Sequence, residues 1–294
     1  MQSTRYTSIT IKQATYNEGD KPLSKKVALV TGASSGIGYD ATLELYKSGF
    51  TVYGAARRIE KMGGLTKKGI RVIALDVTDE ASMAACIDTI ISNESRLDVL
   101  VNNAGYGSYG TIEDVPMEEA RRQIEVNVFG LARMTQLALP HMRKNGFGRI
   151  INVSSMGGKV YSQYGGWYHA TKHAVEALSD CLRLETKEFG IDVVVVEPGG
   201  IKTDWGIIAA DNLERTAEGS AYEKGIKESA DRMRKRYSGN SLSDVSVISK
   251  TIVKGATARK PKTRYLMGIG AKPAVFLKKI LTDRMFDHIV RKML

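Results

Sequence analysis

The 294-residue sequence predicts an α/β protein, a single doubly wound domain whose seven-stranded, mostly parallel sheet carries helices on both faces. Two observations carry this. Short Val/Ile-rich runs alternate along the chain with longer segments of helical apolar spacing, the rhythm of right-handed βαβ crossovers. The first of these runs also ends in a glycine-rich turn that leads straight into a helical pattern.

Residues 1–24 are polar and weakly periodic, and are expected to form a flexible or loosely docked leader outside the fold domain of 25–294. Strands are predicted at 27–30, 51–53, 72–75, 99–101, 149–153, 193–196 and 264–267. Near-continuous apolar runs of this kind imply strands covered on both faces. A helix is expected over 39–47, after the glycine turn. Residues 200–245 break the rhythm with a charge-dense insertion opening on Trp205, Ile207 and Ile208. Ligands of open parallel sheets bind beyond the carboxyl ends of the strands, so this insertion is placed to act as a substrate lid.

The chain closes, over 270–294, in a basic amphipathic tail. Phe276, Leu277, Ile280, Leu281, Met285, Phe286, Ile289, Val290, Met293 and Leu294 recur at spacings of three and four. Lys278, Lys279, Arg284, Arg291 and Lys292 mark the opposite or flanking faces. Such a stripe has to be buried, and three partners suit it: the parent domain beside the substrate mouth, a second subunit, or an anionic membrane surface.

Composition narrows the function classes. A hydrophobic content of 43% suits one well-packed core. No run approaches the roughly 18 to 20 apolar residues of a membrane-spanning helix, and 1–24 lack a signal-peptide core. The expected location is cytoplasmic, with the tail allowing peripheral membrane contact. Cys86 and Cys181 sit in helix-like stretches without metal-ligand spacing, so buried free thiols are expected, and no metal. The net charge of +11 is concentrated in 250–294, where 12 Lys/Arg face only Asp283 and Asp287. No recognition motif or base-stacking aromatics accompany that charge, so no nucleic-acid partner is expected.

The first strand ends in Thr31-Gly32-Ala33-Ser34-Ser35-Gly36-Ile37-Gly38. Glycines let a turn pass close to a pyrophosphate, and the free N–H groups and positive end of the following helix stabilise the anion. The plainer alternative is a tight turn that binds nothing. Enzymes that use NAD keep an acidic residue after the second strand for the ribose 2′-hydroxyl, where this chain reads Tyr53-Gly54-Ala55-Ala56-Arg57-Arg58. Ala56 removes the repulsion that an acid would exert on a 2′-phosphate, and Arg57 offers a planar cation suited to it. NADP(H) is therefore favoured, with Arg57 preferred to Arg58 because it lies nearer the strand; two solvated arginines are the alternative.

At this point the chain is similar to the short-chain dehydrogenase/reductase family, in the branch with a G-x-x-x-G-x-G turn and Tyr-x-x-x-Lys. The similarity covers about 25–267. It rests on the glycine turn, Leu75-Asp76-Val77-Thr78, Asn102-Asn103-Ala104-Gly105, Glu125-Val126-Asn127, Asn152-Val153-Ser154-Ser155, Tyr168-His169-Ala170-Thr171-Lys172 and Pro198-Gly199, in that order. The resemblance implies a Rossmann-type domain binding NADP(H) through Gly32, Ser34, Ser35, Gly36, Ile37, Gly38 and Arg57. It places Asp76 and Val77 beside the adenine and Asn103, Ala104 and Gly105 along the ribose path. It also sets Pro198, Gly199, Ile201 and Thr203 at the nicotinamide end. A homo-oligomer, dimer or tetramer, is expected.

The catalytic group follows from chemistry as well. Tyr168 and Lys172 are four apart in a helical stretch and share a face. A free phenol titrates near 10, and a nearby ammonium and the oxidised nicotinamide both favour the phenolate, moving Tyr168 toward its working range. Ser155, thirteen residues upstream at a strand end, can hydrogen-bond the substrate oxygen; Ser154 competes, and family spacing favours Ser155. Lys172 would also bond the ribose hydroxyls, and Asn127 would hold a water that passes protons to it. His169 and His173 face away from Tyr168 and read as structural. Trp167, Tyr161, Tyr164 and Trp205 surround the expected substrate mouth, where they line an apolar pocket or pack the loops. The substrate is a small-molecule carbonyl or alcohol, and a loose similarity after Gly200 to hydroxysteroid dehydrogenase and acyl-dihydroxyacetone-phosphate reductase-like members suggests a steroid-, retinoid- or acyl-lipid-like compound. A second class, a non-catalytic NADP-binding sensor, is disfavoured by the complete set Asn127, Ser155, Tyr168 and Lys172, and the intact cofactor motifs make any membrane-surface role of the basic tail an additional one.

Overall fold

A computed structural model describes residues 25–293; the predicted leader 1–24 and Leu294 lie outside the described residues, as do the side chains of Lys292 and Met293. All seven expected strands are present: β1 (Val27–Thr31), β2 (Thr51–Ala56), β3 (Arg71–Ala74), β4 (Val99–Asn102), β5 (Gly148–Val153), β6 (Ile191–Pro198) and β7 (Arg264–Met267). Their order is β3-β2-β1-β4-β5-β6-β7, and every neighbouring pair is parallel. The direction of winding reverses between β1 and β4, the position at which such sheets open a crevice for ligands.

The helices follow in chain order: α1 (Gly36–Lys47), α2 (Gly63–Thr66), α3 (Glu80–Glu94), α4 (Met117–Ile124), α5 (Gly130–Lys144), α6 (Gly166–Glu185), α7 (Trp205–Glu214), α8 (Glu223–Ser238), α9 (Ser246–Thr257), α10 (Ala271–Ile280) and α11 (Asp283–Met293). Strand alternation divides the core. Ala28 and Val30 of β1 pack with Ala41 and Leu45 of α1 and Ile248 and Ile252 of α9. Val27 and Leu29 turn to the other face, against Cys86, Ile87 and Ile90 of α3 and Met134, Ala138 and Met142 of α5.

Two expectations fail. β3 is not covered on both faces: Arg71 and Ala74 are exposed and Val72 and Ile73 half-buried, because β3 is the sheet's edge with β2 as its neighbour. Cys181 is exposed on the outer side of α6, whereas Cys86 is buried and its thiol pushed up to about 12 by that burial.

Residues 200–245 fold largely as a helical hairpin. Ala209, Ala210 and Leu213 of α7 pack against Ile226, Ala230 and Met233 of α8, in one cluster with Tyr109 and Tyr168. Gly206 permits this closeness, since a Cβ there would stand 2.2 Å from the Tyr237 ring. The tail forms α10 and α11. Phe286 and Val290 are buried with Val160, flanked by Leu277, Leu281 and Tyr161, and the Tyr161 hydroxyl donates to Asp287 Oδ1 at 2.8 Å. The outer side leaves Phe276, Ile280 and Met285 60%, 58% and 54% exposed. Among the described residues, no helix is long and apolar enough to cross a membrane.

Candidate active site

The carboxyl ends of β1, β4, β5 and β6 open into a cavity of about 920 Å³. At one end lies the glycine turn. Gly32 and Gly36 have φ of 71° and 53°, and a Cβ on Gly38 would stand 2.3 Å from the Gly32 carbonyl oxygen and 2.5 Å from Asn103 Nδ2. The turn is braced from β4: Asn103 Nδ2 donates to the Thr31 carbonyl (3.0 Å), and Thr31 Oγ1 accepts from the backbone N–H groups of Asn103 and Ala104 (3.0 Å each). A backbone held this close, opening the N-terminus of a 12-residue helix, fits a pyrophosphate.

Of the residues expected at the cofactor, Gly32, Ser35, Gly36, Ile37, Arg57, Asn103, Ala104, Gly105, Pro198, Gly199, Ile201 and Thr203 line the cavity. Ser34, Gly38, Asp76 and Val77 do not. Gly38 supports the turn from behind, and Asp76 Oδ1 accepts from the N–H and hydroxyl of Thr78 (3.0 and 2.8 Å). Val77 packs its carbonyl against Gly130, where a Cβ would come within 2.5 Å of it. Beside Arg57 the wall carries Arg58 and Lys61, so three cations meet the end where a 2′-phosphate would lie, with the Asp76 carboxylate within electrostatic reach of Arg57 but not lining the cavity. Lys61 escaped the sequence reading, because a lone lysine in a short helical turn has no local signature.

The candidate reacting centre lies where α6 crosses the ends of β5 and β6. Tyr168 and Lys172 share one face of α6, with the ammonium 5.9 Å from the phenol ring centroid. Lys172 is buried and donates to the Val153 carbonyl at 3.0 Å; desolvation brings its ammonium down to about 8. Tyr168 is enclosed by Tyr109 and Trp205, with ring centroids at 5.7 and 5.1 Å. Burial pushes its phenol above the ordinary tyrosine range, and the neighbouring Ser155 hydroxyl opposes this. The Lys172 ammonium, tied to the Val153 carbonyl, and an oxidised nicotinamide are the groups that would draw the phenol the other way.

Ser155 Oγ accepts from Gly157 N (3.0 Å) and donates to the Pro198 carbonyl (3.4 Å), which fixes it on the Tyr168 side. The Ser154 hydroxyl is buried and makes no hydrogen bond among the described residues. Asn127 lies in a π-helical turn, Glu125–Phe129, between α4 and α5, where Gly130 N–H reaches back five residues to the Glu125 carbonyl. Its Oδ1 accepts from Tyr106 N (3.0 Å), and its Nδ2 donates to the Tyr106 carbonyl (2.9 Å) and to Thr171 Oγ1 (3.1 Å). The side chain therefore ties the loop after β4 to the turn of α6 that carries Lys172.

His169 is structural in its contacts although it lines the cavity. Ser162 N–H donates to Nε2 at 2.9 Å, which leaves the proton on Nδ1 to donate to the Gly157 carbonyl at 2.9 Å. Burial pushes this imidazole below the ordinary histidine range. His173 Nδ1 bonds the His169 carbonyl at 2.8 Å. Of the four aromatics expected at the mouth, Tyr161 and Trp205 line the cavity, whereas Trp167 and Tyr164 do not. Tyr109, Met233, Tyr237, Phe286 and Val290 complete the wall; of these, the sequence offered only the tail stripe as a signal for the last two.

A short chain dehydrogenase family model matches residues 26–212. The chain is 36% identical over 267 residues to a probable short-chain type dehydrogenase/reductase, VdlC, of Helicobacter pylori, covering 90% of this chain and 96% of that protein. It is 40% identical over 181 residues to a 3-ketodihydrosphingosine reductase of Bacteroides thetaiotaomicron, covering 62% and 66% of the two chains. The crystal structure of a short-chain dehydrogenase from Streptomyces avermitilis superposes with a TM-score of 0.71 at 35% identity, covering 83% of this chain and 88% of that one.

Proposed function

This chain belongs to the short-chain dehydrogenase family, and from that premise we propose that it is an NADP(H)-dependent oxidoreductase acting on a lipophilic carbonyl or secondary alcohol. Hydride-transfer oxidoreduction follows from the family; the cofactor preference and the substrate class are our reading. The observation that carries it is one cavity with a trio of Arg57, Arg58 and Lys61 at one end and Ser155, Tyr168 and Lys172 at the other.

A nicotinamide cofactor held by the glycine turn and Lys172 would supply or accept the hydride. The chain does the rest. Ser155 Oγ hydrogen-bonds the substrate oxygen, Tyr168 Oη gives it a proton during reduction and takes one during oxidation, and Lys172 stabilises the resulting phenolate and holds the cofactor ribose. Both polar ends of the Asn127 side chain are engaged, so a water passing protons to Lys172 would be held by its backbone carbonyl within the π turn. The α7–α8 hairpin serves as the substrate lid.

Met156, Val160, Ala274, Phe286 and Val290 give the far wall an apolar surface, and the kinship with a 3-ketodihydrosphingosine reductase supports a lipophilic ketone. Exposed Met117, Phe129, Leu178 and Leu184 along the α4–α6 layer support a homo-oligomer. Exposed Phe276, Ile280 and Met285, with Lys279 and Arg284 nearby, support additional peripheral contact with an anionic lipid surface, tested by vesicle sedimentation. The main reading is tested by NADPH absorbance with a panel of steroid, retinoid and acyl-lipid ketones beside small soluble ones. Turnover confined to the small ketones, or equal efficiency with NADH, would overturn it.

A further inference from the structure

The cavity wall is uneven in charge. Arg57, Arg58, Lys61, Lys172, Arg232 and Arg236 reach it, against a single carboxylate, Asp204. Three of these cations face the 2′-phosphate end and Lys172 belongs to the reacting centre, which leaves Arg232 and Arg236 with no part in the reading above. Both come from α8, four residues apart, on the face that also brings Met233 and Tyr237 to the cavity. Arg234, between them, turns away to Asp211, Glu214 and Asp231. Arg232 has Glu228 3.9 Å away, between two exposed side chains, and its Nη2 donates to Ser229 Oγ at 3.2 Å, while Arg236 makes no ion pair among the described residues.

The position of Arg236 is specific. Its Nη2 lies 3.6 Å from where a Cβ on Gly200 would stand and 3.8 Å from the corresponding point on Gly270. Gly200 directly follows Pro198-Gly199 at the reacting centre, and Gly270 opens α10, the first element of the apolar wall. The guanidinium thus sits between the site of chemistry and the surface suited to an alkyl chain. Guanidinium is weakly hydrated, planar and always charged, so it favours a phosphate or carboxylate and opposes an ammonium.

We propose that Arg236, assisted by Arg232, is an anion subsite that binds a phosphate or carboxylate on an apolar-chained substrate. The inference rests on the proposed carbonyl reaction and narrows its substrates to acidic amphiphiles; a cationic amino ketone would meet like charge at this point.

Isothermal titration of the NADPH-loaded enzyme with dodecyl phosphate, dodecanoate and dodecanol, all below micelle formation, reads the subsite without needing turnover. Each anion is expected to bind at least tenfold more tightly than the alcohol, and the tighter of the two identifies the preferred acidic group. Arg236→Ala should erase the difference while dodecanol affinity stays the same, and Arg236→Lys should keep part of it. The subsite is refuted by equal binding of the three ligands, by Arg236→Ala weakening all three alike, or by its loosening NADPH instead. An enzyme that passes this test yet reduces no ketone retains the subsite and loses the proposed reaction; one that reduces neutral ketones and binds the three ligands equally does the reverse.

Discussion

Replacing Lys172 with Met should make the enzyme inactive and, at neutral pH, more stable. Burial lowers the Lys172 ammonium from 10.5 to about 8, so folding holds a charge where the protein disfavours it. That difference corresponds to about 3 kcal/mol. Methionine removes the charge at similar length, but it leaves the Val153 carbonyl without its 3.0 Å donor, a loss of about 1 kcal/mol. The net expectation is a gain of about 2 kcal/mol at pH 7. The sign with pH is fixed by proton counting: between about 8 and 10.5 the unfolded chain binds the extra proton, so the unmodified protein gains stability as pH rises through that window. Below it the penalty is fully present. Urea unfolding of both proteins at pH 7 and pH 10 measures the difference directly, with groups common to both cancelling. The advantage of Lys172→Met should shrink to near zero at pH 10. A variant less stable than the unmodified protein at pH 7, or a difference that does not change with pH, would show that the ammonium is stabilised in place and that desolvation does not govern Lys172.

Three further outcomes are expected. Tyr168→Phe should lower kcat by roughly 10²-fold or more with NADPH affinity unchanged, since positioned acid-base help is worth about that much; near-normal turnover would move the chemistry to another group. NADPH should exceed NADH by at least about tenfold in kcat/KM, about 1.4 kcal/mol, and Arg57→Asp should erase or invert the preference, as judged by initial rates with both cofactors. Ending the chain after Pro273 removes the wall supplied by Phe286 and Val290, and should raise KM for long-chain ketones while NADPH titration is unaltered; an unchanged KM would place the substrate elsewhere in the cavity.

The sheet was legible because seven apolar runs stand clear of their surroundings, and the glycine turn and Tyr168/Lys172 pair because their spacing is local. What escaped depends on tertiary position. The four-residue run of β3 is as aliphatic at its centre as the buried strands, yet it ends up at an edge, which only the strand order decides. The α7–α8 hairpin reads as a charged interruption because its packing face is built from alanines, Ala209, Ala210 and Ala230, whose small side chains give little apolar periodicity. Nothing in Glu125-Val126-Asn127 marks a π turn. Lys61, Arg232 and Arg236 look like ordinary solvated helix residues until the fold sets them around one cavity. The tail stripe was visible with three partners open, and Phe286 and Val290 buried beside Val160 show its inner side on the parent domain.

That last contact joins residues far apart in time as well as in sequence. Val160 and Tyr161 leave the ribosome well before Asp287, 126 residues after Tyr161, can reach them. During vectorial synthesis the central strands can pair while this groove still waits for its cover, so docking of α11 is expected to be the closing event of folding. It should also be the first to reverse. Helix α11 sets Phe286 and Val290 into a small buried cluster with Val160 rather than into either large core, and units of that kind open with little of the global free energy. Native-state hydrogen exchange should find the amides of α11 opening independently of denaturation of the sheet, so that one wall of the cavity breathes while the glycine turn and the reacting centre stay assembled.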